Sequence, residues 1–300
     1  MKKFFNIVLL AIGLSFFNSC FIIDDDSYRL TLSSVSEEMI EGESITLKAT
    51  VSGFRIVTPE IEWWSKDPSI ATVDEKGVVK AIKKGETTIV AKITYSIQAR
   101  CKIIVTEDFT ITFADEFFEE YCLKYFDENH DGEISRTEAN LVKKIGGNDK
   151  VFCTDNTDSI PEIKYFKNLE HLDCYGSTIY AGPNGKLKIL DVSNNSKLTY
   201  LDCHGNKLKT LDTSNNPNLE ILRCENNQLT ELNVSESIEL KQLSCSHNAL
   251  TSLDISNNTK LETMYCSYNN IETIYVWVGF NEDNYTYFSK DETAKYVKKW

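Results

Sequence analysis

The 300-residue sequence predicts a multidomain chain: an all-β sandwich, a short helical segment, and a solenoid whose stacked turns share a parallel β-sheet. Three observations predict it. Apolar and polar residues alternate with period two over residues 27–106, apolar residues recur at helical spacing between Phe117 and Ile145, and a unit of 21 residues then repeats with a Leu and a Cys in each copy.

The N-terminus is an address. Lys2 and Lys3 precede an almost wholly apolar run from Phe4 to Phe17, as in a secretory signal peptide. The run closes on Phe17-Asn18-Ser19-Cys20, which resembles the lipobox of bacterial lipoproteins, although Phe17 stands where Leu is usual. The resemblance implies that residues 1–19 are removed as a lipoprotein signal peptide and that Cys20 is acylated. Each buried acyl methylene contributes about 0.8 kcal/mol, so several chains hold a protein at a membrane. Residues 20–26 are then a lipidated acidic linker. Its run Asp24-Asp25-Asp26 resembles the surface-export signal of Bacteroidetes lipoproteins, which implies an outer-membrane protein, lipid-anchored at the cell surface.

Composition narrows the partners. The formal net charge of −13 repels phosphate backbones, and no basic patch with interleaved aromatics is present, so nucleic acid is excluded as a partner. His130, His171, His204 and His247 have no zinc-ligand spacing. Membrane contact is expected through the lipid anchor alone.

In residues 27–106 the alternations Ile45, Leu47, Ala49, Val51, then Ile89, Ala91, Ile93, then Cys101, Ile103, Val105 describe half-buried strands of an antiparallel sandwich. The stretch Trp64-Ser65-Lys66-Asp67-Pro68-Ser69-Ile70-Ala71-Thr72-Val73-Asp74, followed by Gly77, Val79, Ala81, Gly85 and Ala91, resembles the bacterial immunoglobulin-like domain of group two, found in many adhesins and surface proteins. No inter-sheet cysteine pair is available, so Trp64 is expected to fill the core. The resemblance implies a spacer or binding module, and spacer is the reading adopted.

Residues 108–148 change character. Phe117, Phe118, Tyr121, Cys122, Tyr125 and Phe126 mark one helix, and Ala139, Leu141, Val142 and Ile145 a second. Between them, residues 127–138 match a twelve-residue EF-hand calcium loop. Asp127, Asn129 and Asp131 stand at positions one, three and five, Gly132 at the sharp turn, Glu133 offers a carbonyl at seven, Ser135 stands at nine, and Glu138 is the bidentate ligand at twelve. The resemblance implies bound calcium, stapling the segment rather than sensing. EF-hands usually work in pairs, and no second complete loop is present.

From residue 150 the repeat takes over, through residue 275. Leu201, Leu222, Leu243 and Met264 keep the 21-residue step, as do Cys203, Cys224, Cys245 and Cys266, and Asn206, Asn227, Asn248 and Asn269. The unit L-x-x-L-x-C-x-x-N-x-L-x-x-L-D-x-S-x-N resembles the leucine-rich repeat in a Cys-bearing form common in Bacteroidetes surface proteins. Alternate residues of L-x-L-x-C point inward from a short strand on the concave side, and the Asn bonds adjacent turns as a ladder. The Asn-rich remainder has no helical pattern and is expected to be extended on the convex side. One inward Cys per turn is a small apolar filler, not half of a disulfide. Cys174 lies 29 residues before Cys203, and the surplus is assigned to a loop at Gly182-Pro183-Asn184-Gly185; a partial repeat begins near Val151, with Cys153 in register. Residues 276–300, rich in aromatics and ending at Trp300, form the C-terminal cap.

Function is expected in the outward strand positions of the solenoid. Tyr175, Tyr200, Asp202, His204, Arg223, Glu225 and Tyr265 form the candidate ligand-binding surface, flanked by His171 and Asp173, all read as exposed. No Ser-His-Asp or Gly-rich phosphate signature is present, so an enzyme is not expected. The reading is a surface-anchored binding or adhesion lipoprotein that recognises an extracellular protein. The alternatives are a glycan-binding accessory of a polysaccharide-capture system, or a structural envelope protein.

Overall fold

The computed structural model describes residues 28–53, 60–93, 97–147, 152, 154–176, 185–285 and 287–299. The expected signal peptide, Cys20 and the acidic linker lie outside the described residues, as do Val151, Cys153, positions 182–184 and Trp300. The chain divides into two compact units, Met1–Glu107 and Asp108–Trp300. Among the described residues no helix is long and apolar enough to cross a membrane.

In the first unit, alternation generates strands β1 (Tyr28–Leu32), β2 (Ser36–Ile40), β3 (Ser44–Thr46), β4 (Ala49–Gly53), β5 (Glu62–Ser65), β6 (Ala71–Val73), β7 (Val78–Ala81), β8 (Gly85–Lys92) and β9 (Gln98–Thr106). They pair as a four-stranded sheet β2-β9-β8-β5, a three-stranded sheet β3-β7-β6 and the ribbon β1-β4. This is an immunoglobulin-like sandwich, with Met39, Leu47, Val79, Ile89, Cys101 and Ile103 in its core. Two expectations are corrected. The sandwich is not wholly antiparallel, because β2 runs parallel to β9 at the sheet edge. Trp64 does not fill the core. It is 37% exposed, and its neighbour Trp63 packs inward instead. Successive strand residues face opposite sides, so a shift of one position decides which indole is buried.

The second unit begins with helix α1 (Glu116–Phe126), capped by Asp115, whose side chain accepts from the Phe118 amide. Phe118, Tyr121, Cys122 and Phe126 are its buried face. Helix α2 (Arg136–Leu141) starts on a capping box: Ser135 accepts from the Glu138 amide while Glu138 accepts from that of Ser135. Ile145, expected in this helix, is instead in strand β10 (Lys144–Ile145). The helix ends at Leu141, and Ile145 opens the solenoid sheet, so the sheet begins before residue 150.

The solenoid builds three parallel sheets, one long and two short. The longer one orders β10, β11 (His171–Asp173), β12 (Tyr200–Asp202), β14 (Ile221–Arg223), β16 (Gln242–Ser244), β18 (Thr263–Tyr265) and β20 (Phe288–Ser289). On the other side of each turn lie β13 (Thr210–Asp212) with β15 (Glu231–Asn233), and β17 (Ser252–Asp254) with β19 (Thr273–Val276) and β21 (Lys295–Lys298). Leu172, Leu201, Leu222, Leu243 and Met264 align in register and are fully buried. Cys174, Cys203, Cys224, Cys245 and Cys266 are buried free thiols. Burial pushes the inner thiols well above their usual range. This is the leucine-rich-repeat architecture, with extended rather than helical convex segments.

The Asn ladder is present. Asn227 donates through Nδ2 to the carbonyls of Cys203 (3.0 Å) and Cys224 (3.2 Å), and its Oδ1 accepts from the Leu208 amide (2.9 Å). Asn206, Asn248 and Asn269 repeat the scheme. A second ladder runs beside it through Asn195, Asn216, Ser237 and Asn258, all fully buried. Asn216 donates to the Val192 and Asn195 carbonyls, and Asn258 to those of Val234 and Ser237. At the C-terminal end Trp277, Phe280, Tyr285, Phe288 and Tyr296 pack against one another, while β20 extends the long sheet and β21 the sheet of β17 and β19.

Candidate binding surface

The parallel register arranges the outward side chains of the long sheet in rows, with neighbours about 4.8 Å apart across the strands. One row runs His171, Tyr200, Ile221; the next runs Asp173, Asp202, Arg223. The third holds Tyr175, His204 and Glu225, two residues further along each strand path. The rings stack along the rows. His171 lies on Tyr200 with centroids 4.1 Å apart and planes within 5°, and Tyr175 lies on His204 at 5.2 Å and 4°.

The two aspartates of the middle row are therefore not exposed, although their outward positions predict exposure. Asp173 is 9% accessible and Asp202 3%. Short carboxylates between two rows of stacked rings are shaded by the taller side chains. The backbone adds to this at Gly146 (φ 78°), where a Cβ would meet that of Asp173 at 2.8 Å. Ser244 is buried in the same row. Tyr175, Tyr200, His204, Arg223 and Glu225 are half-buried, and Tyr265 is exposed.

Asp202 is fully engaged. It accepts from His204 Nδ1 at 2.6 Å and from the Tyr200 hydroxyl at 3.2 Å, and Arg223 Nη1 lies 3.7 Å away. That bond to Asp202 raises the His204 pKa, overcoming the opposing effect of burial. Other polar atoms are left over. Asp173 Oδ1, His171 Nε2 and Glu225 Oε2 are buried without a hydrogen-bond partner among the described residues. Burial, assisted by the Asp202 charge, lifts the Asp173 pKa to about 6. Burial and Lys144 push His171 down to about 4. Burial also raises Glu225.

A different surface lies towards the C-terminal end. The turns after Cys203, Cys224, Cys245 and Cys266 pass through the left-handed region, at Gly205 (φ 71°), Asn226 (55°), His247 (55°) and Tyr268 (60°). Gly and Asn tolerate that region easily and bulky residues do not. His247 and Tyr268 nevertheless stand there, stacked at 4.2 Å. Tyr268 is 69% exposed and Tyr287 63%. The repeat register points to Tyr268, but its outward display depends on the turn conformation, which the sequence reading did not assign.

The loop 127–138 closes on its own amides. Asp127 accepts from the His130 (2.7 Å) and Gly132 (3.0 Å) amides, Asn129 from that of Asp131, and Asp131 from that of Glu133. Glu138 is buried and accepts from the Glu128 and Ser135 amides. Glu133 accepts from the Thr110 hydroxyl at 2.6 Å. Residues 109–111 bond to 134–136 in strand fashion, bracing the loop from outside. Among the described residues no three His, Cys, Asp or Glu side chains converge as a metal site. The donor set itself, carboxylate, amide, hydroxyl and carbonyl oxygens in sequence, suits a hard cation such as calcium.

The geometry defines a leucine-rich-repeat solenoid that displays an aromatic and acidic face and follows an immunoglobulin-like domain. Residues 29–101 match the family described as Bacterial Ig-like domain (group 2). Among curated proteins, 50 residues are 44% identical to a 3-O-alpha-D-galactosyl-alpha-L-arabinofuranosidase of Bifidobacterium longum subsp. longum, covering 17% of this chain and 4% of that protein. A further 84-residue match, 31% identical, is to an uncharacterized protein of Clostridium acetobutylicum, covering 26% and 9%. The chain thus spans less than a tenth of either relative. Among solved structures, domains 4 and 5 of the S-layer protein SbsC match at 21% identity and a TM-score of 0.24, over 26% of this chain and 50% of that one. The functional domain of InlJ from Listeria monocytogenes, which includes a cysteine ladder, matches at 20% identity and a TM-score of 0.23, over 60% of each chain. Neither superposition is close enough to add to the strand pairing described above.

Proposed function

We propose that the chain is a lipid-anchored protein of the outer bacterial surface that binds an extracellular protein through the outward face of β11, β12 and β14. One observation carries this reading: three buried polar atoms on one face, Asp173 Oδ1, His171 Nε2 and Glu225 Oε2, lack partners among the described residues. Each such atom costs about 1–3 kcal/mol. A face that keeps three of them beside stacked rings and an arginine has the composition of a binding hot spot. The test probes an array of extracellular proteins and glycans with the full chain and with a Tyr200→Ala, Arg223→Ala double variant of matched melting temperature. Binding to proteins that the variant loses at least tenfold supports the reading. Equal binding by both chains contradicts it.

The remaining parts serve display. Cys20 supplies the anchor, and the immunoglobulin-like domain acts as spacer. Calcium, held by Asp127, Asn129, Asp131, the Glu133 carbonyl, Ser135 and Glu138, staples the helical segment that precedes β10. No catalytic step is assigned, since Asp202 and His204 satisfy each other. A glycan-binding reading draws on one separate observation, the exposed rings of Tyr265, Tyr268 and Tyr287. Flat apolar rings with a polar tip suit sugar faces. Glycan hits lost on Tyr268→Ala but kept by the double variant would favour it.

A further inference from the structure

We infer that this face holds a slot for a cationic side chain, the ammonium of a lysine or the guanidinium of an arginine on an extracellular protein, floored by Asp173 and flanked by Glu225. The inference rests on the protein-binding reading above and names the chemistry of its contact.

The slot is built from the row geometry. Along the strands the two stacked pairs, His171–Tyr200 and Tyr175–His204, are four residues apart, about 13 Å at 3.3 Å per residue. The carboxylates of Asp173 and Asp202 fall midway, lower than the rings on either side. Rings that shade a carboxylate remove water from it, and charges interact more strongly where water is excluded.

The two floor carboxylates differ in one respect. Asp202 has its partners, among them a guanidinium: Arg223 Nη1 approaches to 3.7 Å from β14. Asp173, on the opposite strand β11, has nothing equivalent at Oδ1 among the described residues, although it is about nine-tenths buried. Across the row, Glu225 Oε2 likewise has no partner among the described residues. A cation entering over Asp173 meets one buried acceptor and remains within the field of two more carboxylates. An anion would meet all three, although Lys144, His204 and Arg223 offset part of their field. The complement of this surface is therefore a positive group with several N–H donors.

Protonation of Asp173 weakens such a contact. Its carboxyl holds its proton up to about pH 6 because burial and Asp202 oppose the charge, while His204, Lys144 and Arg223 favour it. The groups facing it are Tyr121 from α1, Lys144 from β10, His171 on its own strand, Tyr200, Asp202 and His204 from the β12 path, and Arg223 and Glu225 from the β14 path. Affinity for a cationic segment rises as pH passes from 5 to 7.5.

The experiment measures binding of fluorescent octa-lysine and octa-arginine peptides to the full chain by anisotropy at 150 mM salt, with octa-glutamate as control. Asp173→Asn and Glu225→Gln are compared with Glu236→Gln, which removes one exposed charge from the turn that follows β15. The inference expects each of the first two to weaken peptide binding at least tenfold, with Glu236→Gln within twofold of the parent. Equal losses for all three, or no binding at millimolar peptide, overturn it. Displacement of the peptides by spermine at equal charge potency also overturns it, assigning the slot to free polyamines. Proteins captured on the array that depend on Tyr200 and Arg223 but not on Asp173 would refute the slot and leave the protein-binding reading standing. Dependence on none of these residues refutes both.

Discussion

His204 Nδ1 lies 2.6 Å from the carboxylate of Asp202, two residues earlier in the chain, and the His204 amide donates to the same oxygen at 3.1 Å. The carboxylate thus fixes both the ring and the path by which the chain leaves β12.

This pairing predicts a pH dependence. The folded pKa of His204 is raised above the usual 6.5, chiefly by its bond to Asp202. Its stabilisation is fully present below 6.5 and is lost as pH rises through the raised folded value. His204→Gln should flatten the fall in melting temperature of the wild-type chain between pH 6.5 and 9. Parallel curves for the two proteins would show that the pair contributes nothing.

Asp173 predicts a substitution that stabilises. Its folded pKa of about 6 exceeds the usual 3.8. The protonated form is favoured, and the stability this brings disappears as pH rises from 3.8 through 6. At pH 7.5 the charged residue is a cost on the order of 1–3 kcal/mol. Asp173→Asn should melt a few degrees higher than wild type at pH 7.5 and no higher at pH 4. A lower melting temperature at pH 7.5 would mean that Asp173 has a stabilising partner. Sites built for ligands commonly trade stability in this way.

The ladder predicts that one amide matters more than its size. Asn227→Ala strands the Cys203 and Cys224 carbonyls and the Leu208 amide, at roughly 2–4 kcal/mol. Asn227→Asp keeps the acceptor but aims an oxygen at two carbonyls, so it should cost at least as much. Denaturant titration of both variants checks this, and a wild-type midpoint for the Asp variant would contradict it.

What the sequence made legible is what repeats. The 21-residue step places Leu222 and Cys224 inside and Asn227 in its ladder, because stacking forces equivalent positions into equivalent environments. The second ladder was in the same register, but Ser237 interrupts its Asn at one turn and hides the pattern. Features set by neighbouring heights or by one-residue register were not legible. Asp173 and Asp202 occupy outward positions and are buried by adjacent rings, and Trp63 and Trp64 are indistinguishable until the strand's face is known. Ile145 satisfies helical spacing by coincidence, since the chain leaves α2 after Leu141.

Calcium should act through Glu138. Binding to the folded loop alone raises stability with concentration. Millimolar calcium should raise the melting temperature of the wild-type chain, and Glu138→Gln should abolish most of that rise while keeping the helix cap. No thermal shift and no calorimetric heat for wild type would remove the metal from the account.

The central claim is that recognition occurs on the face of β11, β12 and β14. The most direct measurement replaces single residues of the full chain with a photoreactive phenylalanine analogue on living cells, at Tyr200 on that face, at exposed Glu236 in a turn away from it, and at Trp64 in the sandwich. The account predicts crosslinks to an extracellular protein from position 200 and none to that protein from 236 or 64. Crosslinks to that protein from position 64 or 236, with position 200 silent, would contradict it.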